Sequence, residues 1–282
     1  MAFLEIDHVT KHFPVPDGPG EVCVFRDVAF AIEEGEFLTM IGHSGCGKST
    51  LLNIIAGLEQ PSAGGIVLEG RQITAPGMDR MVVFQNFSLM PWMTVFENIR
   101  LAVRAAYPGW GRKAVADYVQ RYVDMVGLAG AENKRPTALS GGMRQRVGLA
   151  RAFSTQPKVL LLDEPFAQID ALTRGVIQDE LMRMWTASRN TVFMVTHDVD
   201  EAILLSDRIA LMTSGPDARL AEILDVKIPR PRTRAELIDD PEYLRLRTHV
   251  LKFLVERSRR DEGEQRELAR STGRAPALVR GN

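Results

Sequence analysis

The chain has 282 residues, 45% of them hydrophobic and 25% charged, and carries a formal charge of -1; this is an ordinary globular composition, sufficient for one main domain with an inserted lobe. A balance so near neutral offers no field to collect DNA or RNA, whose binding depends on Lys and Arg neutralising phosphates, so nucleic acid is excluded as a first partner. Two cysteines make no disulfide framework and five histidines show no metal-ligand spacing; no apolar run approaches the roughly 20 residues of a membrane span, and MAFLEIDHVTKHF has no signal-peptide core, which predicts a cytosolic chain unless something docks it elsewhere.

In chain order, FLEIDHV is the first expected strand, and the turn-rich VPDGPGE (residues 15–21) is the loop toward the second, EFLTMI. Between that strand and the helical pattern LLNIIAGL lies GHSGCGKST, residues 42–50. It fits G-x-x-x-x-G-K-[ST] at every fixed position, so a phosphate chain is the ligand to expect. Gly42, Gly45 and Gly47 let the loop Gly42, His43, Ser44, Gly45, Cys46 and Gly47 curl its N–H groups toward an anion, and the helix that follows adds its positive end. Lys48 is placed to reach the β and γ phosphates, Ser49 to give its hydroxyl to Mg²⁺, and Thr50 to contact the α and β phosphates. The side chain of His43 is given no catalytic part.

GGIVLEG and RMVVFQ are the next strands, and the pattern then becomes helical throughout residues 86–156, which predicts a helical lobe inserted into an α/β core. KVLLLD resumes the strands and ends in two acids: Asp163 can hold the Mg²⁺ shell through water, and Glu164 can orient and deprotonate an attacking water. Alone, acids after a buried strand would read as a solvated turn or a helix cap; the glycine-rich loop upstream favours the metal-and-base reading. Residues 171–188 are an expected helix with Leu172, Val176, Leu181 and Met184 on one face, followed by the strands TVFMVTH and RIALMTS. After PRPRTR, Asp240 and Pro241 start a helix with a stripe of Tyr243, Leu246, Val250 and Leu254, and beyond Glu256 the charged tail is expected to be disordered.

ALSGGMRQR opens a helix at Ser140, Gly141 and Gly142, a second anion-binding helix start by type. Together with the phosphate loop, Gln85 after RMVVF, the acids of DEP, Asp170 in FAQID and His197 in VTHD, all in this order, the chain resembles the ATP-binding subunits of ABC transporters over residues 3–226. The resemblance implies an α/β P-loop NTPase fold: a mixed, largely parallel core sheet, an antiparallel β subdomain and the inserted helical subdomain. It divides the chain into an ATP-binding domain at residues 1–228, with the helical insertion at about 86–156, a C-terminal helical extension at 229–256 and a tail at 257–282. It further implies ATP and Mg²⁺ as ligands and a head-to-tail dimer, in which Ser140, Gly141 and Gly142 of one copy close on the ATP held by Lys48, Ser49 and Thr50 of the other. Phe13 matches the aromatic that stacks on adenine, with a core position at a strand end as the alternative. His197 would contact the γ phosphate and the water, Gln85 would bond Mg²⁺, and Asp170 would couple the two sites.

The segment 86–95, NFSLMPWMTV, with its run Leu89, Met90, Pro91, Trp92 and Met93, is implied to receive a short helix of a transmembrane permease subunit. Longer stretches such as LLLDEPFAQIDALTR and DPEYLRLRTHVLKFL resemble the nitrate, sulfonate and taurine uptake group, most of all its nitrate, cyanate and bicarbonate branch. That points to nitrate import from the cytoplasmic face of the membrane, with aliphatic sulfonate second. The implied partners are a second ATP-binding subunit (an identical copy or a paired paralogue), the permease and, through it, an extracytoplasmic solute-binding protein. Ala167-Gln168-Ile169-Asp170 departs from the group's usual Gly-Ala-Leu-Asp, placing a larger polar side chain at the implied dimer contact. The rival classes are a non-transport ABC ATPase and a P-loop kinase; the first wants a second cassette, coiled coil or basic face, and the second has no use for Ser140-Gly141-Gly142.

Overall fold

The structure, a computed structural model, describes residues 2–15 and 18–272, with side chains as far as Glu256. Two sheets organise it. The first is antiparallel, in the order β2-β1-β4-β5, from β1 (Leu4–Pro14), β2 (Glu21–Ile32), β4 (Ala63–Leu68) and β5 (Arg71–Gln72). The second has the order β10-β9-β3-β8-β7-β6 and comprises β3 (Phe37–Ile41), β6 (Arg80–Val83), β7 (Val159–Asp163), β8 (Thr191–Val195), β9 (Arg208–Met212) and β10 (Leu220–Asp225). Its strands run parallel except β10, which pairs antiparallel to β9 at the edge.

β3, β7 and β8 are apolar at nearly every position because helices cover both faces of this sheet. On one face, α1 (Lys48–Ala56) and the antiparallel sheet close a core around Phe25, Leu51, Ile55 and Phe193. On the other, α5 (Ala171–Ser188) and α6 (Val199–Leu205) cover a core in which Phe37 meets Trp185 edge-on at 5.6 Å. The loop after residue 14 joins β1 to β2 as a hairpin; β2 is a strand that the sequence reading passed over.

The inserted lobe comprises α2 (Val95–Ala106), α3 (Arg112–Met125), a single 3₁₀ turn at Pro136–Ala138 and α4 (Gly141–Phe153). Thr94 and Glu97 form a reciprocal capping box that starts α2. One expectation fails in α5. Leu172 is 89% exposed and Val176 half exposed, whereas Ile177, Leu181, Met184 and Trp185 are buried. Leu181 lies nine residues, or about two and a half turns, from Leu172, so the two project from opposite sides and cannot share one stripe.

After β10, the short α7 (Arg234–Leu237) leads to α8 (Pro241–Thr272). The Asp240 carboxylate accepts from the Tyr243 amide at 2.9 Å, Pro241 opens the helix, and Leu246 and Val250 are fully buried. The helix continues past Glu256, where the sequence suggests disorder; the run there is rich in Arg and Glu, good helix formers that can extend an anchored helix. Residues 273–282 of the expected tail lie outside the described residues. Among the described residues no helix is long and apolar enough to cross a membrane.

Candidate active site

The loop between β3 and α1 takes its shape from Gly45 (φ 81°) and Gly47 (φ 92°), left-handed conformations that suit glycine. Gly47 also has no room for a side chain: a Cβ there would lie 2.6 Å from both Phe25 Cδ1 and Val24 Cγ1 on β2. Lys48 is buried at the first position of α1, and its Nζ donates to the carbonyls of Gly42 at 2.7 Å and His43 at 2.9 Å, tying the ammonium across the curl of the loop. A cavity of about 270 Å³ opens here, lined by Val24, Ser44, Gly45, Gly47, Lys48, Ser49, Thr50 and Glu164. The helix start, the loop amides and one cation make it suited to an anion. His43 turns elsewhere: its Nε2 donates to the Leu254 carbonyl of α8 at 2.9 Å.

β7 delivers the two acids. Ser49 Oγ donates to Asp163 Oδ1 at 2.8 Å. Burial raises the pKa of Asp163, opposed by the Ser49 hydrogen bond and reinforced by the Glu164 charge. A hydroxyl and a destabilised carboxylate in contact are hard oxygen donors that fit a divalent cation such as Mg²⁺, which would relieve that cost. Glu164 stands at φ 44°, an uncommon conformation for a side chain of its kind, with its amide donating to the Val195 carbonyl at 2.9 Å. The strained turn directs its carboxylate to the cavity and to His197, whose Nδ1 lies 3.2 Å from Glu164 Oε2. The ends of β3, β7 and β8, adjacent in the sheet, thus bring Lys48, Ser49, Asp163, Glu164 and His197 together.

The other sequence candidates do not line this cavity. Ser140 caps α4, its hydroxyl accepting from the Met143 amide at 3.2 Å, and Asp170 caps α5, accepting from the Thr173 amide at 3.0 Å, a bond that lowers its pKa. Those two helix starts touch one another: a Cβ on Gly142 would stand 2.4 Å from Thr173 Cγ2, and one on Gly141 3.2 Å from the Gln168 carbonyl. Gln168 itself is exposed, as is Gln85 at the end of β6. Phe13, at 38% exposure, is no core residue; Lys11 Nζ lies over its ring at 4.6 Å. Val24 was missed as a lining residue because its strand, β2, was missed.

A second concavity, about 420 Å³ and mostly apolar, includes Leu58, Met78, Met81, Phe84, Met90 and Leu101 in its lining. The buried Asn98 shapes its rim, accepting from the Met90 amide at 2.8 Å and donating to the Met93 and Thr94 carbonyls at 3.2 and 2.9 Å. Trp92 is left 64% exposed, whereas Phe87 and Val95 are buried. Of the segment 86–95, then, Ser88 and Met90 line the groove, and Leu58, Pro76, Met78 and, from α2, Leu101, Ala102 and Ala105 are among the residues that complete it.

Residues 25–167 match the ABC transporter family. Among curated relatives, the nitrate import ATP-binding protein NrtD of Synechococcus elongatus is 49% identical over 92% of this chain and 94% of its own length. NrtC of Synechocystis sp. is 52% identical over 92% of this chain, and the bicarbonate transport ATP-binding protein CmpD of Synechococcus elongatus is 48% identical over 92%. The chain spans 38% of the length of that NrtC. Among solved structures, the ATP-binding cassette MJ0796, described as a dimer in a post-hydrolysis state bound to ADP and Pi, superposes with a TM-score of 0.71 and 29% identity, covering 80% of this chain and 100% of that one. The shared fold, the ordered motifs and near-50% identity over almost the full length of NrtD lead to one conclusion: the chain belongs to the ABC transporter family of ATP-binding proteins.

Proposed function

We propose that the chain is the ATP-hydrolysing subunit of an importer for a small anion, nitrate first and bicarbonate second, acting at the cytoplasmic face of the cell membrane. The observation that carries the hydrolytic part is the Glu164 carboxylate, which lines the cavity beside Lys48 and lies against His197. Lys48 and the loop amides of residues 42–47 bind the β and γ phosphates, and Phe13 offers a face to the adenine. Ser49, Asp163 and Gln85 would hold Mg²⁺, which neutralises phosphate charge. Glu164 takes a proton from water aimed at the γ phosphorus, while His197 contacts the γ phosphate and the water.

Ser140, Gly141, Gly142 and Asp170 are well formed yet line neither the cavity at Lys48 nor the apolar groove. Their place in this reading is against a second copy, or a paired paralogue, whose ATP they cover. Closure needs the γ phosphate as a shared partner of Lys48 and the two helix starts, and its removal reopens the pair. The apolar groove bounded by Met78, Met90 and Leu101 is suited to a short helix of a permease, which would link the dimer to a solute-binding protein outside. The anion assignment is supported by the nitrate and bicarbonate names of the relatives alone. Deleting the gene and growing cells on nitrate as sole nitrogen source, with bicarbonate-limited and sulfonate-sulfur cultures in parallel, tests it: growth lost only on nitrate supports the reading, and full growth on nitrate refutes it.

A further inference from the structure

His197 occupies the residue before the cap of α6, and the backbone on either side of it is fixed by three side chains. Asp198 Oδ1 accepts from the amides of Asp200 and Glu201 at 2.9 and 3.1 Å. Thr196 Oγ1 accepts from the Asp198 amide at 3.1 Å and donates to Glu201 Oε2 at 2.8 Å, while the Thr196 amide donates to the Met40 carbonyl of β3 at 3.3 Å. Glu201 is buried, and its other oxygen accepts from Gln178 Nε2 of α5 at 3.0 Å.

This frame meets the start of α5 through one cation. Arg174 Nη1 lies 3.4 Å from Asp198 Oδ2 and 3.9 Å from Glu201 Oε1, and its Nη2 donates to the Ile169 carbonyl at 3.2 Å. Ile169 immediately precedes Asp170, whose carbonyl accepts from the Arg174 amide at 2.9 Å. Arg174 Nε is buried without a hydrogen-bond partner among the described residues. One guanidinium therefore serves two carboxylates and a loop carbonyl at long distances and with a donor unused. A staple whose only work was to fix α5 to α6 could lie anywhere along the helices; this one spans the loop that ends at Asp170 and two of the three residues that frame His197. Burial, then the Asp198 charge, push the Glu201 carboxyl up to about 7, opposed by the Thr196 hydrogen bond and by the Arg174 charge.

We propose that Arg174 is a positioning residue that carries the placement of the 165–170 loop, the stretch taken to face the second copy, to the imidazole of His197. The inference builds on the reading of His197 as a contact of the γ phosphate. A second copy that presses on this loop shifts the Ile169 carbonyl, the guanidinium follows, and Asp198 and Glu201 turn His197 with it. Hydrolysis then answers to pairing through the path from the Ile169 carbonyl to Asp198 and Glu201.

The test is a double-mutant cycle on the full chain, with steady-state and single-turnover phosphate release for wild type, Arg174→Met, His197→Ala and the pair. Arg174→Met is expected to lower kcat about tenfold or more while the KM for ATP changes less than about twofold, and in the His197→Ala background to cost less than about twofold. Arg174→Lys keeps a charge for the carboxylates but lacks the fork that also reaches Ile169, so it should recover part of the rate. If the two defects multiply while His197→Ala is itself slow, Arg174 acts elsewhere and the proposal is overturned with the histidine reading intact. Wild-type turnover by His197→Ala overturns both. Should Arg174→Met fail to fold, as judged by its melting transition, the same cycle built on Arg174→Lys decides with the same criterion.

Discussion

Replacing Glu164 by Gln removes one charge and one proton acceptor while leaving the remaining machinery in place. The amide oxygen can still accept from the His197 ring, and Lys48, Ser49 and Asp163 keep their contacts. A positioned general base is worth roughly 10²–10⁴ in rate, or about 3–5 kcal/mol of barrier, and that is the loss expected in kcat. Binding should move the other way. The Glu164 charge is one of the causes that raise the pKa of Asp163, so its removal makes the Asp163 carboxylate easier to keep ionised and Mg·ATP is held as tightly or tighter. Phosphate release at saturating Mg·ATP, with nucleotide affinity measured on the same protein by fluorescence titration, separates the two effects. Turnover within threefold of wild type, or an affinity lost tenfold, would refute the assignment.

Gly47→Ala should destabilise the fold by about 2–4 kcal/mol, the sum of a left-handed alanine and the displacement of Phe25 and Val24, and weaken ATP binding; urea unfolding checks it, and unchanged stability contradicts it. Glu201 titrates about 7 when folded against 4.5 when unfolded, so the native state binds more protons between those values and stability falls as pH rises from about 5 to 8. Glu201→Gln removes this slope: its stability relative to wild type should climb by on the order of 2–3 kcal/mol across that window, and a pH-independent difference in chemical denaturation argues against the shift. Leu101→Glu places a charge in the apolar groove and should abolish co-purification with the permease subunits; retention at the wild-type level removes the groove from the docking surface.

Much of this architecture was legible because its signals are local. A glycine-rich loop between an apolar strand and a helix, and two acids at a strand end, carry their geometry in neighbouring residues, so Lys48, Ser49, Asp163 and Glu164 could be named without a fold. β2 and β10 were not recognised. The burial pattern of β2 is irregular where its pairing with β1 shifts register, and β10 is a half-exposed edge strand without clean alternation. With β2 went Val24 and the reason Gly47 must be glycine. The stripe assigned to α5 failed because hydrophobicity does not say which apolar residues face inward, and Leu172 and Val176 stand outside near Asp170. Arg174 could not be singled out at all, since its meaning lies in Asp198 and Glu201, partners 24 residues and more away that only the sheet order brings near.

In the proposed cycle the terminal phosphate joins two copies of the chain. The most direct measurement is the mass in solution, by light scattering, of the Glu164→Gln protein in Mg·ATP and in Mg·ADP. A dimer with ATP and a monomer with ADP is the predicted result; a monomer in saturating Mg·ATP, with the membrane subunits also supplied, would contradict it.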